Sequence, residues 1–198
     1  MSALPSQSRY IIGTEACERF SFYGMKSILM LYMTGHLLMS DNWSTSTLHI
    51  FVAMVYLLPL AGAWLADKVW GRYKTILYIS LLYCVGHGVL ATADLSHTIE
   101  ARRYILMAGL FIIALGAGGI KPCVSAFMGD QIPNKSPQLM TKAFNAFYWA
   151  INLGSFFSFL VIPAMEQRYG YSWAFAVPGL FMGVATFVFW LGRKNYHK

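Results

Sequence analysis

Residues 15–26 read Glu15-Ala16-Cys17-Glu18-Arg19-Phe20-Ser21-Phe22-Tyr23-Gly24-Met25-Lys26, and the reading of this stretch decides the fold. It opens an apolar run that continues through Met33 to Met39, yet it holds two acids and two bases. Offsets of three and four stack side chains on one face of a helix, so Glu15, Glu18 with Arg19, Phe22 with Tyr23, and Lys26 share a side. A charge at the centre of a membrane helix costs about 2.5–3.5 kcal/mol. Several on one face are sustained only where that face meets partners or water. The stretch therefore predicts a polar pathway inside a membrane protein.

Composition supports the membrane. Of 198 residues, 57% are hydrophobic and 12% charged, against about 25% charged in an ordinary soluble domain. Repeated long apolar runs predict an all-α integral membrane protein, with the lipid bilayer as its first partner. The formal charge of +7 reads as membrane-flank charge, because the bases do not cluster with aromatics in a soluble patch. No nucleic-acid partner is expected. Cys17, Cys84 and Cys123 lie inside apolar runs without metal-ligand spacing and read as small hydrophobes, so neither a disulfide framework nor a metal site is expected. No nucleophile–base pair is evident, and the chain is not expected to be an enzyme. Residues Met1 to Arg9 show no cleavable-leader pattern, since the first apolar run contains the acids.

Apolar length and polar breaks predict six transmembrane helices, at about 10–38, 45–69, 72–93, 101–129, 139–167 and 173–191. Each suffices to cross a core that needs about 20 helical residues. A cytoplasmic N-terminus places Arg9, Lys68, Arg72, Lys74, Lys135, Lys142, Arg193, Lys194 and Lys198 inside, and only Arg102, Arg103 and Arg168 outside. The positive-inside rule favours this orientation in a plasma or bacterial inner membrane. Arg19, Lys26 and Lys121 are left within the membrane, where two acids face three bases.

At about 1.5 Å per residue, Glu18 on the first helix and Lys121 on the fourth both come out roughly 12 Å from the inner surface, which predicts a salt-bridge set. Tyr23, Tyr56 and Asn152 come out about 20 Å deep. Polar groups of three helices thus converge near the midplane, where transporter sites sit.

These stretches carry a family resemblance. Glu15-x-x-Glu18-Arg19-Phe20-x-Phe22-Tyr23-Gly24 is similar to the E-x-x-E-R-F-x-Y-Y-G of the proton-dependent oligopeptide transporters, a branch of the major facilitator superfamily. Phe22 departs from the family's tyrosine and removes one hydroxyl. Gly116-Ala-Gly-Gly-Ile-Lys121-Pro122, followed by Phe127-Met-Gly-Asp130-Gln131, resembles the family signature around its lysine. Phe147-Tyr148-x-x-Ile151-Asn152-x-Gly154-Ser155 is similar to F-Y-x-x-I-N-x-G-S, and Asp67-Lys-Val-Trp-Gly71-Arg72-Tyr-Lys74 resembles the superfamily's cytoplasmic loop motif.

The resemblance implies the N-terminal six-helix bundle of a major facilitator fold over residues 1–198, with the C-terminal bundle absent from this chain. It implies symport of di- and tripeptides with protons, the proton being the coupling ion and no other cofactor needed. Glu15, Glu18, Arg19 and Lys121 would couple protons. Arg19, Tyr23, Lys26, Tyr56, Lys121 and Asn152 would bind substrate, and Asp67 with Arg72 would form a cytoplasmic gate. The missing partner is a C-terminal six-helix half, in the same polypeptide if the chain is a fragment and otherwise in a second chain. Two alternatives remain open: a superfamily relative carrying nitrate or another small anion, and a non-transporting half-bundle acting as a membrane peptide sensor or assembly module. Gly116, Gly118 and Gly119 read as close-packing positions. His36, His49, His87 and His97 read as structural or interfacial residues.

Overall fold

The computed structural model describes residues 4–197, and of Lys135 the main chain only. The bases Lys198 and Lys135 and the leader reading of Met1 to Ala3 therefore fall wholly or in side chain outside the described residues. Among the described residues every regular element is helical: α1 (Ser8–Leu31), α2 (Asp41–Leu57), α3 (Pro59–Lys68), α4 (Arg72–Ala91), α5 (Ile99–Asp130), α6 (Pro137–Tyr169) and α7 (Tyr171–Leu191), with short helical turns between them. Five helical stretches are long and apolar enough to cross a membrane: Asp41–Lys68, Arg72–Leu95, Ile99–Asp130, Pro137–Tyr169 and Tyr171–Lys194. The protein is a multi-pass membrane protein. The stretch containing α1 is long enough but too polar to join them, because its own charges lower its apolarity.

The expected second helix is not one α-helix. It breaks at Leu58, before Pro59 opens α3. Proline lacks the amide proton that an unbroken helix would use there. The first helix ends differently from expectation as well. Regular α geometry stops at Leu31, a π-turn follows over Tyr32–His36, and Leu38 takes a positive φ of 49°. Arg103 of α5 straps this turn by donating to the carbonyls of Leu37 and Leu38, at 2.7 and 3.1 Å from its Nη2. α2 starts at Asp41, four residues before the expected 45, after its Ser40 cap; the remaining boundaries fall within two residues of expectation, and α4 starts where Gly71, at φ 77°, makes the turn from α3.

Packing follows from small residues. α1 packs on α6 and α7, α4 packs on α5 and α7, and α2 with α3 packs on α5. A Cβ on Gly62 of α3 would stand 2.7 Å from the Cα of Gly119, inside the α5 backbone. On the same helix, a Cβ on Gly118 would stand 2.7 Å from Leu58 Cβ and one on Gly116 would stand 2.5 Å from Tyr83 Cβ. The glycine run of α5 thus seats two neighbours, the expected role. Gly24 of α1 is likewise closed by Ile162 of α6 at 2.6 Å. This brings α1, α4 and α5 together around the charged stretch.

Candidate functional site

Glu15, Glu18 and Arg19 are buried, exposing 7%, 3% and 4% of their surfaces. Their helix repeat turns them inward, against α4 and α5 rather than toward lipid. The Arg19 guanidinium contacts Glu18 Oε2 through Nε and Nη2. Its Nε also stands 3.2 Å from Glu15 Oε1. One cation therefore answers two carboxylates, a geometry suited to the planar fork of arginine. Lys121 and Ser80 line the same small cavity as Thr14, Glu15, Glu18 and Arg19.

The predicted acid–lysine salt bridge is not what forms. Glu15 and Glu18 both pair with Arg19, and Lys121 has no ion pair among the described residues. Lys121 shares a cavity with the acids, as depth counting predicts, but Arg19, on the acids' own helix, reaches them first. Lys121 instead places Nζ 4.9 Å from the Tyr56 ring centroid and 5.7 Å from that of Phe22. The Phe22 ring is shared, since Arg19 Cζ stands 5.6 Å from its centroid. Cations within about 6 Å of a ring face are attracted to it. The residue that departs from the family pattern thus serves as an aromatic spacer between two cations.

The other predicted substrate residues divide. Tyr23 lies 5.9 Å from Arg19 Cζ by its ring centroid and packs edge-on against Phe22 at 5.5 Å. Tyr56 is 69% exposed and, among the described residues, meets the cluster through Lys121. Lys26 is half-buried, with no hydrogen bond or ion pair among the described residues, and its charge acts on Lys121. Asn152 does not join them. It lines a separate shallow cavity on α6 with Asn145, Tyr148 and Trp149. Tyr148, in the same cavity, is 60% exposed. Trp149, 68% exposed beside it, was missed, since its apolar type gave no signal within an apolar run.

At the end of the bundle that carries the α3–α4 turn, Arg72 Nη1 stands 2.5 Å from Asp130 Oδ2, whereas its Nη2 is 3.8 Å from Asp67 Oδ1. The predicted Asp67–Arg72 pair exists, but Asp130 is the closer acid. Its neighbour Gln131 exchanges two hydrogen bonds with the main chain of His197, at 3.0 and 2.9 Å. Tyr196 then inserts among Tyr10, Tyr73, Phe127 and Phe189, with ring centroids 5.1–6.5 Å apart. Burial among these rings raises the pKa of its hydroxyl above the ordinary tyrosine range. The segment after α7 is thereby fixed beside the acids that hold Arg72.

The opposite end gathers His36, Asp94 and Arg102. His36 Nε2 is 2.5 Å from Asp94 Oδ1, and Arg102 reaches the same carboxylate oxygen at 3.2 Å. The histidine ring stacks on Tyr32 and packs beside Tyr171. His87 is fully buried and bonds Ser21 at 2.9 Å. His36 thus sits in a polar cluster between helices, and His87 is enclosed within the bundle.

No group of three or more potential metal ligands occurs among the described residues. Comparison with known proteins gives consistent results. The profile described as PTR2, POT family, matches residues 73–198. Human solute carrier family 15 member 2 is 41% identical over 210 residues, covering all of this chain and 28% of that protein. Peptide transporter family 1 of Drosophila melanogaster is 41% identical over 201 residues, covering 97% of this chain and 27% of its own length. The crystal structure of the POT family transporter PepTSo superposes with a TM-score of 0.90 at 47% identity, over 99% of this chain and 39% of that one. The chain thus spans well under half the length of the relatives it matches. The motifs, the profile and the superposition agree, and the chain belongs to the POT, or proton-dependent oligopeptide, family of transporters.

Proposed function

We propose that this chain forms the N-terminal bundle of a proton-coupled symporter of di- and tripeptides and carries its proton-coupling and carboxylate-binding groups. The observation that carries the reading is the buried Glu15–Glu18–Arg19 cluster set beside an unpaired Lys121. Two carboxylates sharing one guanidinium form a set whose charge depends on protonation. When a glutamate takes a proton it becomes neutral and loosens its hold on Arg19. Arg19 and Lys121 then both face an incoming carboxylate, so proton binding and substrate binding reinforce each other. The freed cation in this scheme is Arg19, because Lys121 has no acid to leave.

Lys26 extends the positive patch as a single point charge. Tyr23 and Tyr56 offer hydroxyls and ring faces. Asn152 donates to and accepts from a peptide amide whatever the side chain. The cavity wall that would meet a peptide's amino terminus belongs to a C-terminal six-helix half, and the exposed aromatics Tyr56, Tyr148 and Trp149 suit such a partner. Arg72 with Asp67 and Asp130 would close the cytoplasmic side, given a cytoplasmic N-terminus in a plasma or bacterial inner membrane. The proton is the only coupling ion the scheme requires, and no step in it calls for a cofactor or for enzyme chemistry.

The anion reading draws on the same patch. A peptide transporter POT solved in complex with sulfate, 32% identical to this chain with a TM-score of 0.87, shows that a relative accepts a simple anion. The test uses the complete transporter in liposomes under a proton gradient. Dipeptide uptake that acidifies the lumen, abolished by Glu18→Gln and by Lys121→Ala, is the expected result, with counterflow better preserved in the glutamate variant. Gradient-driven uptake unchanged in both variants would sink the coupling scheme. Stabilisation and uptake by nitrate but not by dipeptides would move the protein to the anion reading.

A further inference from the structure

The cavity shared by α1, α4 and α5 has a volume of about 10 Å³ and is lined by Thr14, Glu15, Glu18, Arg19, Ser80, Ile120, Lys121 and Val124. Such a volume is about that of one water. Two side chains lining it hold buried oxygens that make no hydrogen bond within 3.5 Å, Glu18 Oε1 and Ser80 Oγ, and the Tyr83 hydroxyl, likewise buried without one, faces Glu18 from α4. Glu18 and Ser80 expose 3% and 1% of their surfaces. Thr14 is satisfied elsewhere, since its hydroxyl reaches the carbonyls of Tyr10 and Ala185. Glu18 spends its other oxygen on Arg19. A buried polar atom without a partner bears the full cost of its lost hydration, and two such atoms on side chains that line a water-sized cavity, also lined by an unpaired ammonium, define a hydration site.

We propose that this cavity binds a single water, held by Ser80 Oγ and Glu18 Oε1 beside Lys121 Nζ, and that Ser80 positions it to carry protons to and from Glu18. The inference rests on the proposed proton coupling and names a residue in it. Ser80 lies on α4, a helix that carries none of the residues expected to bind substrate, and its hydroxyl both donates and accepts. In the relay the water receives a proton from the cavity side on its free lone pair and passes one of its own to Glu18 Oε1. The water ends as it began and the carboxylate ends neutral. The reverse sequence returns the proton. The charged and titratable groups facing Glu18 are Glu15 and Arg19 on its own helix, Tyr83 on α4 and Lys121 on α5, with Lys26 acting on Lys121. Ser80 lines the cavity itself, and its uncharged hydroxyl can orient a water there without adding a competing charge.

The test uses the complete transporter. A crystal structure at a resolution that shows ordered water should place one about 2.7–3.0 Å from both Ser80 Oγ and Glu18 Oε1, and Ser80→Ala should lose it. Gradient-driven dipeptide uptake by Ser80→Ala should fall at least about tenfold in maximal rate, the scale of a lost positioned proton transfer. Its half-saturating peptide concentration and its counterflow rate should stay within about twofold, as expected when a step other than binding is removed. Ser80→Thr, which keeps the hydroxyl, should recover driven uptake where Ser80→Ala does not. An empty cavity in the wild-type map overturns the proposal. So does Ser80→Ala with undiminished driven uptake, and so does equal loss of driven uptake and counterflow, which would make Ser80 a packing residue. Wild-type uptake that ignores the proton gradient would instead fail the proposed function, and that result is read before any Ser80 variant is made.

Discussion

Lys121 Nζ stands 4.9 Å from the centroid of the Tyr56 ring, and among the described residues no carboxylate forms an ion pair with it. A buried or half-buried ammonium without an anion is costly unless something else compensates it. Here two ring faces, Tyr56 and Phe22, do so in part. The arrangement holds the lysine away from Glu15 and Glu18 and keeps it available.

Replacing Tyr56 separates the ring from its hydroxyl. Tyr56→Phe keeps the face beneath Lys121, whereas Tyr56→Leu removes it. A cation–π contact is worth about 0.5–2 kcal/mol, so Tyr56→Leu should weaken dipeptide binding by roughly 2- to 30-fold in the complete transporter. Tyr56→Phe should stay close to wild type. Titration of both variants with one dipeptide decides the matter, and equal weakening in the two would assign the effect to the hydroxyl instead.

The Arg19 cluster makes a prediction about stability. Removing one member of a buried pair strands the charge of the other and costs about 3–5 kcal/mol. Arg19→Met should therefore lower the thermal midpoint of the complete protein strongly. Adding Glu15→Gln and Glu18→Gln to the same chain removes the stranded charges and should restore most of the loss, although transport stays abolished. A triple variant no more stable than Arg19→Met would show that the cluster is held by packing and not by charge.

Much of this was legible in the residues. Apolar run lengths predicted six membrane passes, and five of them return as helices long and apolar enough to cross, because the bilayer imposes a length on every helix that crosses it. The Glu15-x-x-Glu18-Arg19 spacing gave one charged face because the helix repeat is fixed. What stayed hidden were relations between helices. Whether Lys121 or Arg19 would take the acids depends on how closely α5 approaches α1, and that distance is set by contacts along the whole bundle. The break at Leu58 was readable from Pro59, but the apolar run continued through it and masked it. Ser80 carried no signal at all. A lone serine in an apolar run becomes informative only once the groups across from it are known.

Close packing at Gly62 yields a prediction with an internal control. A methyl there would enter the α5 backbone at Gly119. Overpacking of this kind costs about 1–3 kcal/mol, and backbone offers less give than a side chain. Gly62→Ala should lower the thermal midpoint and the yield of folded protein. Gly183 on α7 has nothing within 4 Å of a built Cβ, so Gly183→Ala should leave both unchanged. Equal behaviour of the two variants would mean that the α3–α5 approach can loosen without cost.

The two acids that meet Arg72 are unequal, and this gives the sharpest test of the expected gate. Asp130 is 2.5 Å from Nη1, whereas Asp67 is 3.8 Å from Nη2 and its side chain is 59% exposed. An exposed ion pair is worth about 0–1 kcal/mol and weakens as salt screens it. Asp67→Asn should therefore change little. Asp130→Asn removes the closer partner of Arg72 on α5, next to the Gln131 amide that holds His197. It should free the α3–α4 turn from the end of α5 and raise the rate at which a cysteine placed at Lys74 reacts with a water-soluble thiol reagent in the complete protein. That reagent also requires Cys17, Cys84 and Cys123 to be replaced, since all three are free thiols. High salt should raise the rate in wild type toward that of Asp130→Asn while leaving the variant nearly unaffected. A larger effect from Asp67→Asn than from Asp130→Asn would return the gate to the Asp67–Arg72 pair that spacing alone suggested.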